Sequence, residues 1–136
     1  MTDLGEALGH PTLTFELPYP SPPLRSNKRL HHMAEHRIKR DIRTVGHIAA
    51  INHMHNNPGT YPLPYQVDIR MIWTVPTKHR RDASSGAPTI KSWVDGVVDA
   101  GLLHDDSWVW VKREYCEIEH RPGQPMALRV EISEVT

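Results

Sequence analysis

The sequence predicts a small single α+β domain, a mixed β-sheet with two main helices in the order β-α-β-α-β-β. Three observations carry that prediction. Val67, Ile69, Met71, Trp73 and Val75 alternate with Asp68 and Arg70 as a half-buried strand requires. Ile38, Ile42, Val45 and Ala49 follow the spacing i, i+4, i+7, i+11 and make one apolar helical stripe. At 136 residues, with 38% apolar and 24% charged residues, the chain is long enough for one core and too apolar for a disordered tail.

Taken in order, residues 1–11 have no clear period and read as a loose lead-in to a domain spanning 12–136. Leu13, Phe15 and Leu17 alternate with Thr14 and Glu16 in a first strand. Four prolines in LPYPSPPLRSN lack the N–H that a ladder needs, so an extended connector follows. A helix is expected from about Leu30 to His55, with Arg37, Arg40 and Arg43 off its apolar stripe, and NNPGTYP stops it. The strand Gln66 to Val75 closes at Pro76. A polar loop from Thr77 to Ala87 leads to Pro88, which suits a first helical turn. Ile90, Val94, Val97 and Val98 give the second helix its apolar side, and Gly101 is its stop. Trp108 to Ile118 reads as a strand, RPGQP as a turn, and Leu128, Val130 and Ile132 as the last strand.

No apolar run reaches the roughly 20 residues that cross a membrane. The start MTDLGEALGHP carries no export signal, and the single cysteine, Cys116, agrees with a reducing cytoplasm. Ten histidines raise a zinc hypothesis, strongest at His53 and His55 and at His31 and His32. No spacing matches a structural zinc site. A serine-hydrolase reading fails because no G-x-S-x-G elbow is present.

Net charge is zero, yet its distribution is uneven. Between Arg25 and Arg43, seven basic residues face only Glu35 and Asp41. From Asp95 to Glu119, seven acidic residues face only Lys112 and Arg113. A basic face beside an acidic site suits an enzyme that holds a polyanion and cuts it with metal; two ordinary solvated surfaces give the same count.

Acid and base are densest from Arg80 to Asp106. If the helix folds this segment back, Asp82 approaches Asp106 with Lys91 between them, a set suited to a hard divalent cation and a phosphate. Asp105 and Asp106 also read as plain surface carboxylates. Their position, leading into a strand expected beside the one ending at Val75, favours a shared site. Lys91 is either an i, i+4 partner of Asp95 or a stabiliser of phosphoryl charge. Arg80 and Arg81 are either a solvated loop or phosphate clamps.

These residues resemble the Holliday junction resolvases of the RusA type, common in phages and prophages. LPYPSPPLRSNKRLHHMAEHRIKR is similar to the family's proline-rich lead and following helix, and IRMIWTVPTKHRRDASSGAPTIKSWVDGVVDAGLLHDDSWV to its catalytic core. The resemblance implies a homodimer that nicks four-way DNA junctions symmetrically with Mg²⁺, Mn²⁺ being a possible substitute, in the host cytoplasm. It implies Asp82, Lys91 and Asp106 as catalytic residues, with Asp82, Asp106, Asp105 and Asp95 serving the metal. For DNA contact the reading names Arg25, Asn27, Lys28, Arg29, Arg37, Arg40, Arg80 and Arg81. The family's loop reads Asp-x-Asp-Asn, whereas Ser84 and Ser85 stand at the last two of those positions here. That departure raises the alternative of a protein that binds branched DNA without cutting it. A short insertion around Ala87 to Thr89 accounts for the longer spacing from Asp82 to Lys91.

Overall fold

A computed structural model describes residues 9–136; most of the expected lead-in lies outside them. Its elements are β1 (Leu13–Leu17), α1 (His32–Asn56), β2 (Val67–Val75), α2 (Ala87–Ala100), β3 (Val111–His120) and β4 (Ala127–Glu134), with a 3₁₀ turn at Ala83–Gly86. The β-α-β-α-β-β order and the mixed sheet are as expected from the sequence. The sheet runs β1-β4-β2-β3, antiparallel except for the parallel pair β2 and β3.

Register explains the alternation. Leu13, Ile132, Ile69 and Glu114 form one cross-strand row; Phe15, Val130, Met71 and Cys116 form the next; Leu17, Leu128, Trp73 and Ile118 a third. All of these residues face the helices. The opposite face is a lattice of ion pairs: Arg70 donates to Glu131 at 2.6 Å and Glu117 at 3.0 Å, and Arg113 to Asp68 at 2.9 Å. Phe15 meets Trp93 of α2 edge-on, with ring centroids 5.3 Å apart, and joins sheet to helix in one core.

The helices pack at two glycines. A Cβ at Gly96 of α2 would lie 1.9 Å from the Arg43 carbonyl oxygen, and one at Gly46 of α1 would lie 2.2 Å from that of Trp93. Backbone therefore meets backbone, with Ile42, Gly46 and Ala50 buried on α1. Ile38, Val45 and Ala49 of the expected stripe are partly buried around them. Pro88 sits in the first turn of α2, and Gly101, at φ 90°, ends the helix with its N–H on the carbonyls of Val97 and Val98.

Two boundaries differ from expectation. α1 starts at His32 rather than Leu30, because the His31 ring Nδ1 accepts the Met33 N–H at 3.3 Å and caps the helix. β3 starts at Val111 rather than Trp108, because the Ser107 carbonyl accepts N–H bonds from Trp110 and Val111 and holds a tight turn there. Cys116 lies beneath Gly86, and burial followed by the charge of Glu117 pushes its thiol up to about 11. In iodoacetamide labelling at pH 8, the folded protein is therefore expected to react at least about tenfold more slowly than the unfolded chain. Equal rates would contradict this placement.

Candidate functional site

The proline-rich connector is not a loose strap. Leu24, itself buried, exchanges two hydrogen bonds with the Thr89 hydroxyl, which accepts from its N–H at 3.1 Å and donates to its carbonyl at 2.7 Å. Two residues on, the Ser26 N–H donates to the Ser85 carbonyl at 3.0 Å. These ties bring Arg25 and Asn27 against the loop that carries Arg80, Arg81 and Asp82, and all five line one cavity. Thr89, read from sequence as part of an insertion, is thus a fully buried anchor for the connector.

Ser85 and Ser84 have different situations. Ser85 is buried, and its hydroxyl donates to the Asp82 carbonyl at 2.6 Å, closing the 3₁₀ turn. Ser84 is exposed, as is Asp82. Arg80 approaches Asp82 at 4.0 Å.

One turn into α2, Lys91 donates to Asp95 at 2.9 Å and also to Asp106, so the paired carboxylates after α2 are drawn back onto the helix. Asp105 accepts the Asp106 backbone N–H at 2.7 Å. The hydrogen bond to Asp106, then that to Asp95, holds the Lys91 ammonium well above the usual lysine range; the reciprocal bond from Lys91 holds the Asp106 carboxyl below the usual carboxylate range. Lys91 is cationic throughout the physiological range and is no general base.

Glu114 also belongs to this neighbourhood. It stands on the helix face of β3, where burial pushes its carboxyl up, Lys91 opposes that shift, and Asp106 and Asp95 add to it. The sequence reading counted Glu114 only among acidic residues. Its signal was phase: it keeps step with Cys116 and Ile118, not with the solvent-facing Glu117 and Glu119.

The basic helix reaches the same place. His36, Lys39 and Arg40 of α1 line a groove of about 330 Å³ with Ser92 and Asp95 of α2. Arg37 and Arg40 are exposed, whereas Arg43 is bound to Asp99, donating to it at 2.8 Å. Lys28 and Arg29 are exposed beyond the connector turn.

Among the described residues no group of three or more His, Cys, Asp or Glu side chains is gathered closely enough to cage a metal ion, and Asp82 is not collected with Asp105 and Asp106 into such a group. The donors that do converge are carboxylates, and the Lys91 ammonium stands as a cation between Asp95 and Asp106. Carboxylate oxygens are the donor class that Mg²⁺ takes, and here the Lys91 ammonium stands between two of them. No helix among the described residues is long and apolar enough to cross a membrane. No protein-family model matches the chain, and no curated protein matches it.

Proposed function

We propose that this chain is a Mg²⁺-dependent endonuclease that acts, as a homodimer, on four-way DNA junctions in the cytoplasm, a bacterial host's if phage-encoded. The observation that carries the reading is the Lys91 ammonium shared by Asp95 and Asp106, on the helix that follows the arginine-bearing loop of Asp82 and its 3₁₀ turn. The sequence resemblance supports the same residues, and a two-fold dimer suits the symmetry of a four-way junction.

In this reading Asp82 and Asp106, assisted by Asp105 and Asp95, would hold the cation once substrate phosphate completes its shell. When bound, Mg²⁺, or Mn²⁺ in its place, would supply Lewis acidity toward water and the leaving 3′ oxygen. Lys91 sets a fixed positive charge where negative charge grows on the phosphoryl oxygens. Arg37 and Arg40, with Lys28 and Arg29, carry the strand along the face of α1. Glu114 supplies the carboxylate that the loop lacks at Ser84.

A binding-only protein is the second reading, favoured by the uncharged Ser84 and by the engagement of both Asp95 and Asp106 with the Lys91 ammonium. Ser84 is exposed, so Ser84→Asp introduces a carboxylate without disturbing the core. With Ser85 left in place, Ser84→Asp is expected to raise Mg²⁺-dependent junction nicking at unchanged DNA affinity, and to restore nicking lost in Glu114→Gln. Nicking by neither protein, with the junction still bound, would favour the second reading.

A further inference from the structure

Apart from the exposed Arg29, Arg37, Arg40 and Arg80, the arginines of this chain fall into two groups. Arg43, Arg70, Arg113, Arg121 and Arg129 each donate to a carboxylate. Arg25 and Arg81 have no carboxylate within ion-pair distance among the described residues, yet both are fixed in place. Arg25 Nε donates to the Pro22 carbonyl at 3.2 Å. Arg81 donates through Nη1 to the carbonyls of Thr77 at 3.0 Å and His79 at 3.2 Å, and through Nη2 to the Thr77 hydroxyl at 3.1 Å.

Both guanidiniums lie over the same indole. Arg25 is 4.8 Å from the Trp73 ring centroid and Arg81 is 5.7 Å from it. Cation–π attraction accounts for each contact singly, but it does not remove the repulsion of two cations sharing one ring. Arg80 adds a third positive charge to the cavity, and Asp82, 4.0 Å from Arg80, contributes the carboxylate there. The excess charge is positive, in a cavity of about 170 Å³ with Asn27 at its edge. That volume takes a phosphoryl group with accompanying water.

Trp73 lies beneath both guanidiniums and gives the cavity a spectroscopic reporter. It is 2% exposed, it lines the cavity, and its Nε1 has no hydrogen-bond partner. The guanidiniums stack on the face of that ring, so the buried indole N–H, which lies in the ring plane, reports what enters the cavity without binding it. Trp93 Nε1 is also unpartnered, but Trp93 packs against Phe15 in the core and lines none of these walls.

We propose that this cavity is a phosphate subsite, in which Arg25 and Arg81 grip one backbone phosphodiester over Trp73, with Arg80 and Asn27 at the rim. The proposal rests on the nuclease reading for the identity of its ligand, a DNA strand. Asp82 lines the same cavity, so a phosphate gripped there positions the strand beside that carboxylate. Free guanidinium N–H groups make two parallel bonds to phosphate oxygens, which an ammonium cannot do.

The test is a titration of ¹⁵N-labelled protein with inorganic phosphate, following the four tryptophan indole N–H resonances. The Trp73 resonance is expected to shift saturably while those of Trp93, Trp108 and Trp110 stay in place. Arg25→Gln should weaken that binding at least about tenfold, and Arg37→Gln should leave it unchanged. On a labelled junction, Arg25→Gln should also lower the salt slope of binding by about one. A Trp73 resonance that never moves with phosphate in the parent protein would overturn the subsite, even if the junction is bound and cut. Saturable binding at Trp73 without any junction binding would keep the subsite and overturn the nuclease reading. If Arg25→Gln fails to fold, the titration of the parent protein still decides.

Discussion

Gly96→Ala is expected to lower stability by at least about 3 kcal/mol, a large part of the 5–15 kcal/mol typical of a domain. The added methyl carbon would lie 1.9 Å from the Arg43 carbonyl oxygen, 2.8 Å from its carbonyl carbon and 2.8 Å from the His47 nitrogen. All three are backbone atoms of α1 and cannot swing aside. Alanine's higher helix propensity offers about 1 kcal/mol in return, too little to decide the sign. Pushing the helices apart would also strain the bond between Arg43 and Asp99. Thermal melting should show a fall in Tm of roughly 10 °C or more. Gly59→Ala, whose new atom would meet nothing nearer than 3.8 Å, is the control and should melt close to the parent. A neutral Gly96→Ala would contradict the backbone contact on which the helix layer rests.

Asp106→Asn is expected to reduce junction nicking by about 10³-fold or more while leaving junction binding and Tm nearly unchanged. The stability effect is small because the pair is solvent-screened: the Lys91 and Asp106 side chains are 54% and 34% exposed, and exposed ion pairs contribute at most about 1 kcal/mol. The pH dependence has a definite sign. The Asp106 carboxyl is depressed by Lys91, so its contribution is present above the ordinary carboxylate value near 4 and is lost as pH falls through the lower folded value. The Lys91 ammonium is raised, so its contribution is complete below the ordinary lysine value near 10.4 and is lost only as pH rises through the higher folded value. Between about pH 5 and 10 neither group titrates, and any inflection of the nicking rate in that window belongs to another group. Retained nicking in Asp106→Asn, or a drop in Tm as large as that of Gly96→Ala, would contradict the role given to Asp106.

Much of the fold was legible because its periods are local. The alternation of Val67 to Val75, the stripe of α1, Pro88 at the start of α2 and Gly101 at its end are properties of neighbouring residues, and each is found in the structure. The expected adjacency of β2 and β3 is also found. Long-range features were not legible. Gly46 and Gly96 look like weak points within helices until the two backbones are brought together. Thr89 looks like a helix-start residue until the connector lays Leu24 against its hydroxyl. Ser85 reads as a replaced site residue, but its buried hydroxyl closes a turn.

The candidate site divides in the same way. Lys91 and Asp95 are one helical turn apart, and their pairing follows from spacing alone. The expectation from the helix folding the segment back was that Asp82 and Asp106 meet with Lys91 between them; the structure contains the contact of Lys91 with Asp106, but does not gather Asp82 with Asp105 and Asp106. Glu114 was missed because its segment was read for charge rather than for phase against the buried face. The stacking of Arg25 and Arg81 on Trp73 needed three segments distant in sequence, so no local pattern announced it.

The central claim is tested most directly by incubating the purified protein with a labelled synthetic four-way junction, with Mg²⁺ and with EDTA, and reading nicks and gel shift from the same tubes. The account predicts paired symmetrical nicks with Mg²⁺ and a shifted but intact junction with EDTA. A junction neither shifted nor nicked in either tube would contradict it.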